Sequence, residues 1–432
     1  MADQPLPDSS LSPSDSFPGM SSPTEEKSVK RGLTTFYTLA WFGSWIALIT
    51  PIAVTMALRV QQIDPAGKET SLGLILGAGA LMPVFVTPLV GLLSDRTTSR
   101  LGMRRPWLLG GAVLGFLSLL LVATVPTIPL LLLSWCLTQM MFSVTGAAMG
   151  AIIPDHIPEH QRGKLSGLTG MAQQLGTVIG IVIATVVNGN LFLAFMIPAS
   201  LGLLGLLPLA YFMPDRYQAR AEIPTLDLLG FVKSFWISPR RYPDFAWAFV
   251  SRFLVSFGLA VYSNYTVYFL QNRLHVTAAQ VTSLLLVGVL VTVVTTTLAA
   301  VLSGIVSDRL RRRKIFVIVS ALLYMVGAAI VAFANSFPVY LIGGGLAGAA
   351  IGAYSAVDMA MITQLLPANG ANAAKDMGVF GIASVLPQSL APATAPLFLA
   401  IGGTNNYVAL YLAAAAFGIL GAVTVWPIRG VR

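Results

Sequence analysis

Apolar runs of about 20 residues recur along almost the whole of this 432-residue chain, separated by short polar loops. A bilayer core of about 30 Å takes roughly 20 helical residues to cross. Lipid offers no water to backbone N–H and C=O groups, so a spanning segment must satisfy them internally, and uninterrupted apolar runs of this length do so as helices. Charged residues make up only 10% of the chain, against roughly 25% in a soluble protein, too few to clothe a water-facing surface. The pattern excludes a soluble globular fold and selects a bundle of membrane helices.

Twelve spans are predicted, at about 33–58, 70–93, 107–126, 129–153, 165–188, 191–213, 245–270, 279–302, 315–334, 338–362, 377–400 and 406–427. Before them, residues 1–31 are rich in Ser, Pro and Asp, lack the apolar core of a signal peptide, and read as a disordered tail. Residues 214–244 form a polar linker, whose Leu226, Leu229, Phe231, Phe235 and Trp236 fit either a surface-lying amphipathic helix or a flexible segment.

The chain also repeats itself. Ser94-Asp95-Arg96 and Ser307-Asp308-Arg309 each close an apolar run, with Gly91 and Gly304 four residues before the Asp and 213 residues between the copies. Gly167-Leu-Thr-Gly170 running to Leu175 is echoed 211 residues later by Gly378-Val-Phe-Gly381 running to Leu386. Two motifs with one offset mark a duplicated unit. The expected fold is therefore all-α, with 12 transmembrane helices in two pseudo-symmetric six-helix bundles, residues 32–213 and 245–428.

Charge placement sets the orientation. Of the 26 Lys and Arg residues, 22 fall in the tails and alternate loops, and three (Arg59, Lys68, Arg273) in the opposite loops. By the positive-inside rule both termini face the cytoplasm, here of a bacterial cytoplasmic membrane. The same placement explains the +9 net charge as a topology signal and removes nucleic acid as a partner. The lone Cys136 forms no intrachain disulfide, and the scattered His156, His160 and His275 supply no metal-ligand spacing. No paired-carboxylate motif or activated nucleophile suggests an enzyme, and no cofactor is expected.

Twelve spans, a six-plus-six repeat and Gly-x-x-x-Asp-Arg after helices 2 and 8 together resemble the major facilitator superfamily, from about Leu33 to Arg429. The first long loop, Gly91-Leu-Leu-Ser-Asp95-Arg96-Thr-Thr-Ser-Arg100-Leu-Gly102-Met-Arg104-Arg105-Pro106-Trp, is more particular. Its Ser-Arg-x-Gly-x-Arg-Arg-Pro ending is similar to the glycoside–pentoside–hexuronide cation symporters and the sucrose–proton symporters. The resemblance implies the major facilitator fold and a secondary transporter working by alternating access, with a small-molecule solute as ligand, a proton as coupling ion, and a monomer as the working unit. Some family features are missing. Met140 stands where proton-coupled members often carry an Arg in helix 4. Helix 1 has no acid and helix 5 no proline, which counts against the drug-exporter branch. Proton-driven export of a lipophilic drug or natural product remains the second reading.

The resemblance places Asp95 and Asp308 beside the other half's bundle when the cytoplasmic side is shut, near the start of helix 11 (about Asp376) or helix 5 (about Lys164). A carboxylate there meets the positive end of a helix. Gly91 and Gly304 would allow close backbone approach, and Arg96, Arg104, Arg105 and Arg309 would clamp carboxylates in bidentate fashion. Asp155, after helix 4, is a further partner for the loop arginines. The bland alternative is that the arginines only enforce topology.

Two charges lie well inside predicted spans, Arg252 in helix 7 and Asp358 in helix 10. Each costs about 2.5–3.5 kcal/mol even on a lenient scale, so each is a functional hypothesis by default. They lie eight and nine residues from the cytoplasmic ends of their helices, about 12–13 Å deep, and the resemblance implies that helices 7 and 10 both line the central cavity, so they could pair. Pairing favours the ionised carboxylate and desolvation the neutral one, so Asp358 could take up a proton when the pair breaks. A permanent structural salt bridge is the alternative. Candidate solute contacts are Gln139, Gln173, Gln174, Tyr262, Asn264, Tyr265 and Gln388, because sugar sites combine amides with aromatic faces. Interhelical hydrogen bonding is the competing role for each amide. Tyr268 reads as part of the interfacial aromatic belt.

Overall fold

The computed structural model describes residues 31–187, 189–215, 240, 242–310, 313–365, 373–403 and 405–428. The N-terminal tail, nearly all of the linker with its apolar stretch, and the side chains of Asp308 and Asp376 lie outside the described residues. Among the described residues twelve helical spans follow one another. The first six are α1 (Arg31–Thr50, continuing through a π-helical turn, Pro51–Thr55, into Met56–Ile63), α2 (Lys68–Ser94), α3 (Arg105–Thr124), α4 (Ile128–His156), α5 (Glu159–Val186) and α6 (Leu191–Phe212). The second six are α7 (Pro243–Asn264, continued by Thr266–Asn272), α8 (Ala278–Leu310), α9 (Arg313–Ala332), α10 (Phe337–Leu365), α11 (Ala373–Leu399) and α12 (Tyr407–Val423). Eleven are at least 18 residues long and apolar enough to cross a membrane; α12 is equally apolar at 17 residues, about 26 Å of helix.

Several helices outrun their expected bounds. Helix α5 starts at Glu159 and α8 runs on to Leu310, because Glu, Lys and Arg are good helix formers that carry a helix past the lipid into water. The turn in α1 has a local cause. Pro51 brings no N–H to the ladder, and its carbonyl accepts from Met56 five residues on. Between α1 and α2, Asp64 accepts from the Ser71 hydroxyl (2.7 Å) and the Gly67 N–H (2.9 Å). These bonds hold its carboxyl below the usual range. What they contribute is complete above the unfolded carboxyl pKa and fades as pH falls through the lowered one.

The duplication is visible in the packing. In the first half α1 packs on α5 and α6, α4 on α2 and α3, and α3 on α6. In the second half the same pairs recur with every helix number raised by six. Between halves α2 packs on α11, and α8 on α5. Outward faces are apolar, as with Leu114, Leu117 and Leu121 on α3 and Val294, Leu298, Val301 and Ile305 on α8. Such stripes face lipid without cost.

Helices α8 and α10 approach so closely that a Cβ on Gly352 would collide with the Thr296 carbonyl oxygen, while the Thr296 hydroxyl donates to the Gly348 carbonyl (2.9 Å). Gly352→Val should therefore cost about 1–3 kcal/mol. A lowered Tm of the purified protein checks this; an unchanged Tm would mean the helix pair relaxes freely.

Even span count puts both ends of the bundle on one face. The halves meet at the other. There Tyr268 donates to the Ala57 carbonyl (2.8 Å), Ser389 to the Gly77 carbonyl (2.7 Å), and a Cβ on Gly73 would strike the Pro392 carbonyl. Near the terminal face the facing helices stand apart: a Cβ on Gly91, Gly167, Gly170, Gly304 or Gly381 would meet nothing within 4 Å. The molecule is closed at the face opposite its termini and open at the terminal face.

Candidate functional site

Arg252 on α7 and Asp358 on α10 pair, Nη1 to Oδ2 at 2.9 Å. The arginine Nε also donates to Ser384 Oγ on α11 (2.5 Å), and its guanidinium lies 4.9 Å from the centre of the Phe380 ring. Asp358 Oδ1 accepts from the Tyr354 hydroxyl, one turn back on α10 (3.1 Å). Both carboxylate oxygens are thus used, as burial of a charge requires. The pair forms part of the wall of a cavity of about 200 Å³ whose other lining includes Ser256, Ser320, Tyr324 and Ile351. All its described lining residues belong to α7 and α9–α12. This cavity is walled by the second bundle.

The other solute candidates do not converge there. Tyr262 is buried in an aromatic cluster with Tyr411 and Tyr324, at ring distances of 5.2 and 6.2 Å. Asn264 donates to the Ala260 carbonyl (2.8 Å) and Gln388 to the Ser384 carbonyl (3.4 Å), each within its own helix. Gln139 is buried beside Trp135 and Gly79, and Gln173 is half-buried on α5. An amide in an apolar bundle takes the nearest free carbonyl, usually that of its own preceding turn.

At the terminal face the loop after α2 forms a built cluster. Arg104, 5% exposed, reaches Asp95 (2.6 Å) and Asp155 (3.3 Å) and donates to Ser94 Oγ. The Asp215 carboxylate accepts from the backbone N–H groups of Arg104 and Arg105, 2.8 Å each, at the N-terminus of α3. Gly102 enables this fit, with φ +105° and no room for a Cβ against Asp215. The clamping expected of these residues belongs to the shut state, and with this face open they make other contacts. Arg105 clamps carbonyls, Tyr211 and Met213 at the end of α6, since the last turn of a helix leaves carbonyls free. Asp95 is held by its own half, and Gly91 and Gly304 have no neighbour to approach, because this face is open. Arg96 donates to the Leu92 carbonyl (3.3 Å), and Arg309 is exposed at the end of α8.

Sequence reasoning missed the seal on the opposite face and read its Tyr265 as a candidate solute contact. Tyr265 lies 3.1 Å from the carbonyl oxygens of both Glu69 and Pro392. The Pro392 carbonyl is available because its helical partner would be the N–H of residue 396, which is proline. Asn272 accepts from Lys68 (3.2 Å) and donates to Glu69 (3.1 Å) and to the Tyr407 hydroxyl (2.7 Å). Tyr268, expected in the aromatic belt, is instead fully buried, because its hydroxyl bridges to α1. The three α11 prolines, which free carbonyls within an apolar helix, were the available signal.

The model of the Major Facilitator Superfamily matches residues 32–298 and, again, 249–431. The chain belongs to the major facilitator superfamily. As a superfamily member it is a multi-pass membrane transporter. Over 150 residues it is 29% identical to a general alpha-glucoside permease of Schizosaccharomyces pombe, covering 31% of this chain and 26% of that relative. It is 47% identical over 72 residues to an uncharacterized symporter of Synechocystis sp., covering 16% of this chain and 13% of the relative. These alignments span about a quarter and an eighth of the relatives' own lengths. Among solved structures, a nucleoside transporter superposes with TM-score 0.72 at 13% identity, covering 92% of this chain and 98% of that one. The xylose transporter of E. coli, partially occluded and inward-open, superposes with TM-score 0.66 at 17% identity, covering 92% and 97%. These likenesses concern the fold.

Proposed function

We propose that this superfamily member is a proton-coupled symporter that brings a sugar or glycoside-like solute into a bacterial cell, acting as a monomer with both termini in the cytoplasm. The observation that carries the reading is the buried Arg252–Asp358 pair, placed on a cavity with both carboxylate oxygens hydrogen-bonded. A carboxylate in that position holds a proton when Arg252 is drawn away and releases it when the pair re-forms. Charge placement supports the orientation, with 22 of 26 basic residues on the terminal side. Under that orientation the open terminal face is the cytoplasmic one, and the conformation is inward-open. The relatives named as a permease and a symporter support solute uptake.

Uptake into proteoliposomes down an inward proton gradient tests the proposal with a panel of mono- and disaccharides. Gradient-driven efflux in place of uptake would turn the reading into export.

The Asp95 cluster enters as the cytoplasmic latch. Asp95→Asn should slow transport at least tenfold, while stability changes by no more than about 1 kcal/mol, because the Asp95 side chain is 61% exposed. Transport assay and Tm, measured together, check this. Normal transport would leave Asp95 as a topology residue.

A further inference from the structure

Arg252 and Asp358 are each held a second time, and by different helices. Asp358 accepts from Tyr354 of its own helix α10 (3.1 Å), which fixes the carboxylate to α10. Arg252 on α7 donates through Nε to Ser384 Oγ on α11 (2.5 Å). Its guanidinium also lies 4.9 Å from the centre of the Phe380 ring, one turn back on α11. Phe380 is 2% exposed and packs against Phe245 and Phe249 of α7, with ring centres 5.7 and 6.5 Å apart. A guanidinium is planar, so bonds at Nε and Nη1 together fix both its position and its plane.

The helices that anchor the two charges have different attachments. Helices α7 and α11 pack on each other, and both carry bonds to the first half, Tyr268 to the Ala57 carbonyl and Ser389 to the Gly77 carbonyl. Helix α10 packs on α8 and α9 of its own half. A rearrangement that parts the seal therefore acts on α7 and α11 directly and reaches α10 only through its neighbours. An arginine side chain is long and rich in rotamers, and without a second anchor it would bend to follow its carboxylate. Ser384 and Phe380 prevent that. With both ends anchored, a displacement of about 1 Å carries the pair beyond hydrogen-bond reach.

We propose that Ser384, backed by the Phe380 ring, is the positioning residue that makes the Arg252–Asp358 pair break when the halves rearrange. It acts through Arg252, keeping the guanidinium with α7 and α11 while Asp358 stays with α10. The proposal rests on the reading of Asp358 as the proton carrier. The tether is what turns movement of the helices into a carboxylate without its cation.

The test uses the full chain in proteoliposomes with Ser384→Thr and Ser384→Val, which are near-isosteric and differ in the hydroxyl. Each variant's Tm is read first to show that it folds. Accumulation is followed for whichever of glucose, sucrose and maltose the parent concentrates. Ser384→Val should lower it about tenfold, the loss of one hydrogen bond to a charged group, and counterflow by less than about threefold. Ser384→Thr should restore accumulation to within about threefold of the parent, since it keeps the hydroxyl. A second readout needs no solute. As the vesicles are acidified, the infrared band of a protonated carboxyl should appear in the parent and in Ser384→Thr. It should be weak in Ser384→Val and absent in Asp358→Asn.

Equal impairment by Ser384→Thr and Ser384→Val makes the residue a packing element and overturns the proposal. So does Ser384→Val with the accumulation and the band of the parent. If neither variant folds, Phe380→Leu decides: it should lower accumulation about threefold through loss of the cation–π contact, and no change overturns the tether. A parent that concentrates none of the sugars, with bands that still differ between Ser384→Thr and Ser384→Val, keeps the tether and loses the uptake reading. Proton-driven accumulation with no difference between the two variants does the reverse. A band that persists at full strength in Asp358→Asn overturns both.

Discussion

Asp358→Asn is expected to abolish accumulation of solute against its gradient while leaving exchange of solute across the membrane within a few-fold of the parent. The amide keeps one oxygen to accept from Arg252 and turns its NH2 to the Tyr354 hydroxyl oxygen, but it cannot cycle a proton, so binding geometry survives and coupling does not. In proteoliposomes the inside-to-outside solute ratio should fall to unity whatever the imposed pH difference. Counterflow, which needs only the conformational change with solute bound, should continue. The parent's accumulation should respond to the proton gradient. Persisting accumulation in the variant would make the carboxylate a structural strut.

Arg252→Met should have the largest effect on stability. It leaves the Asp358 carboxylate buried with only Tyr354 as partner, and breaking a buried pair in this way costs about 3–5 kcal/mol. Adding Asp358→Leu should recover most of that loss, because an apolar pair of similar volume avoids desolvating two ions. The double variant should be stable and uncoupled. Thermal unfolding of the parent, the single and the double variant checks both statements. A single variant as stable as the parent would mean that water already reaches the carboxylate freely. Recovered coupling in the double variant would remove Asp358 from the mechanism.

Much of this architecture was legible in the sequence, for reasons the structure makes plain. Hydropathy reports contact with lipid, so the spans and the duplication could be read, and the same helix pairs recur in both halves. The cost of a charge in lipid singled out Arg252 and Asp358, and their equal depth on two helices that the resemblance places around one cavity suggested their pairing. Rotation about each helix axis was not legible. Gln388 and Asn264 look like ligands in a list of polar residues, yet both turn to carbonyls of their own helices. Tyr268 sits at a depth typical of the aromatic belt, and only the approach of α1 makes it a bridge. The π-helical turn at Thr55 was also hidden, since a proline in a membrane helix predicts a disturbance without its form.

The bonds that join the halves differ in part from those clustered at the terminal face. Part of the seal is neutral, with Tyr265, Tyr268 and Ser389 donating to backbone carbonyls of the first half, while Asn272 joins the charged Lys68 and Glu69. The terminal cluster sets the Arg104 guanidinium between Asp95 and Asp155, with Asp95 largely in water. Dissolved salt screens exposed charge pairs over a Debye length of about 8 Å at 0.15 M and leaves neutral hydrogen bonds almost untouched. Ionic strength on the far side therefore reaches only the part of the seal that runs through Lys68 and Glu69. A change in salt in the compartment bathing the termini reaches its ionic joint, and the same change on the far side does not loosen the neutral bonds that hold the halves together.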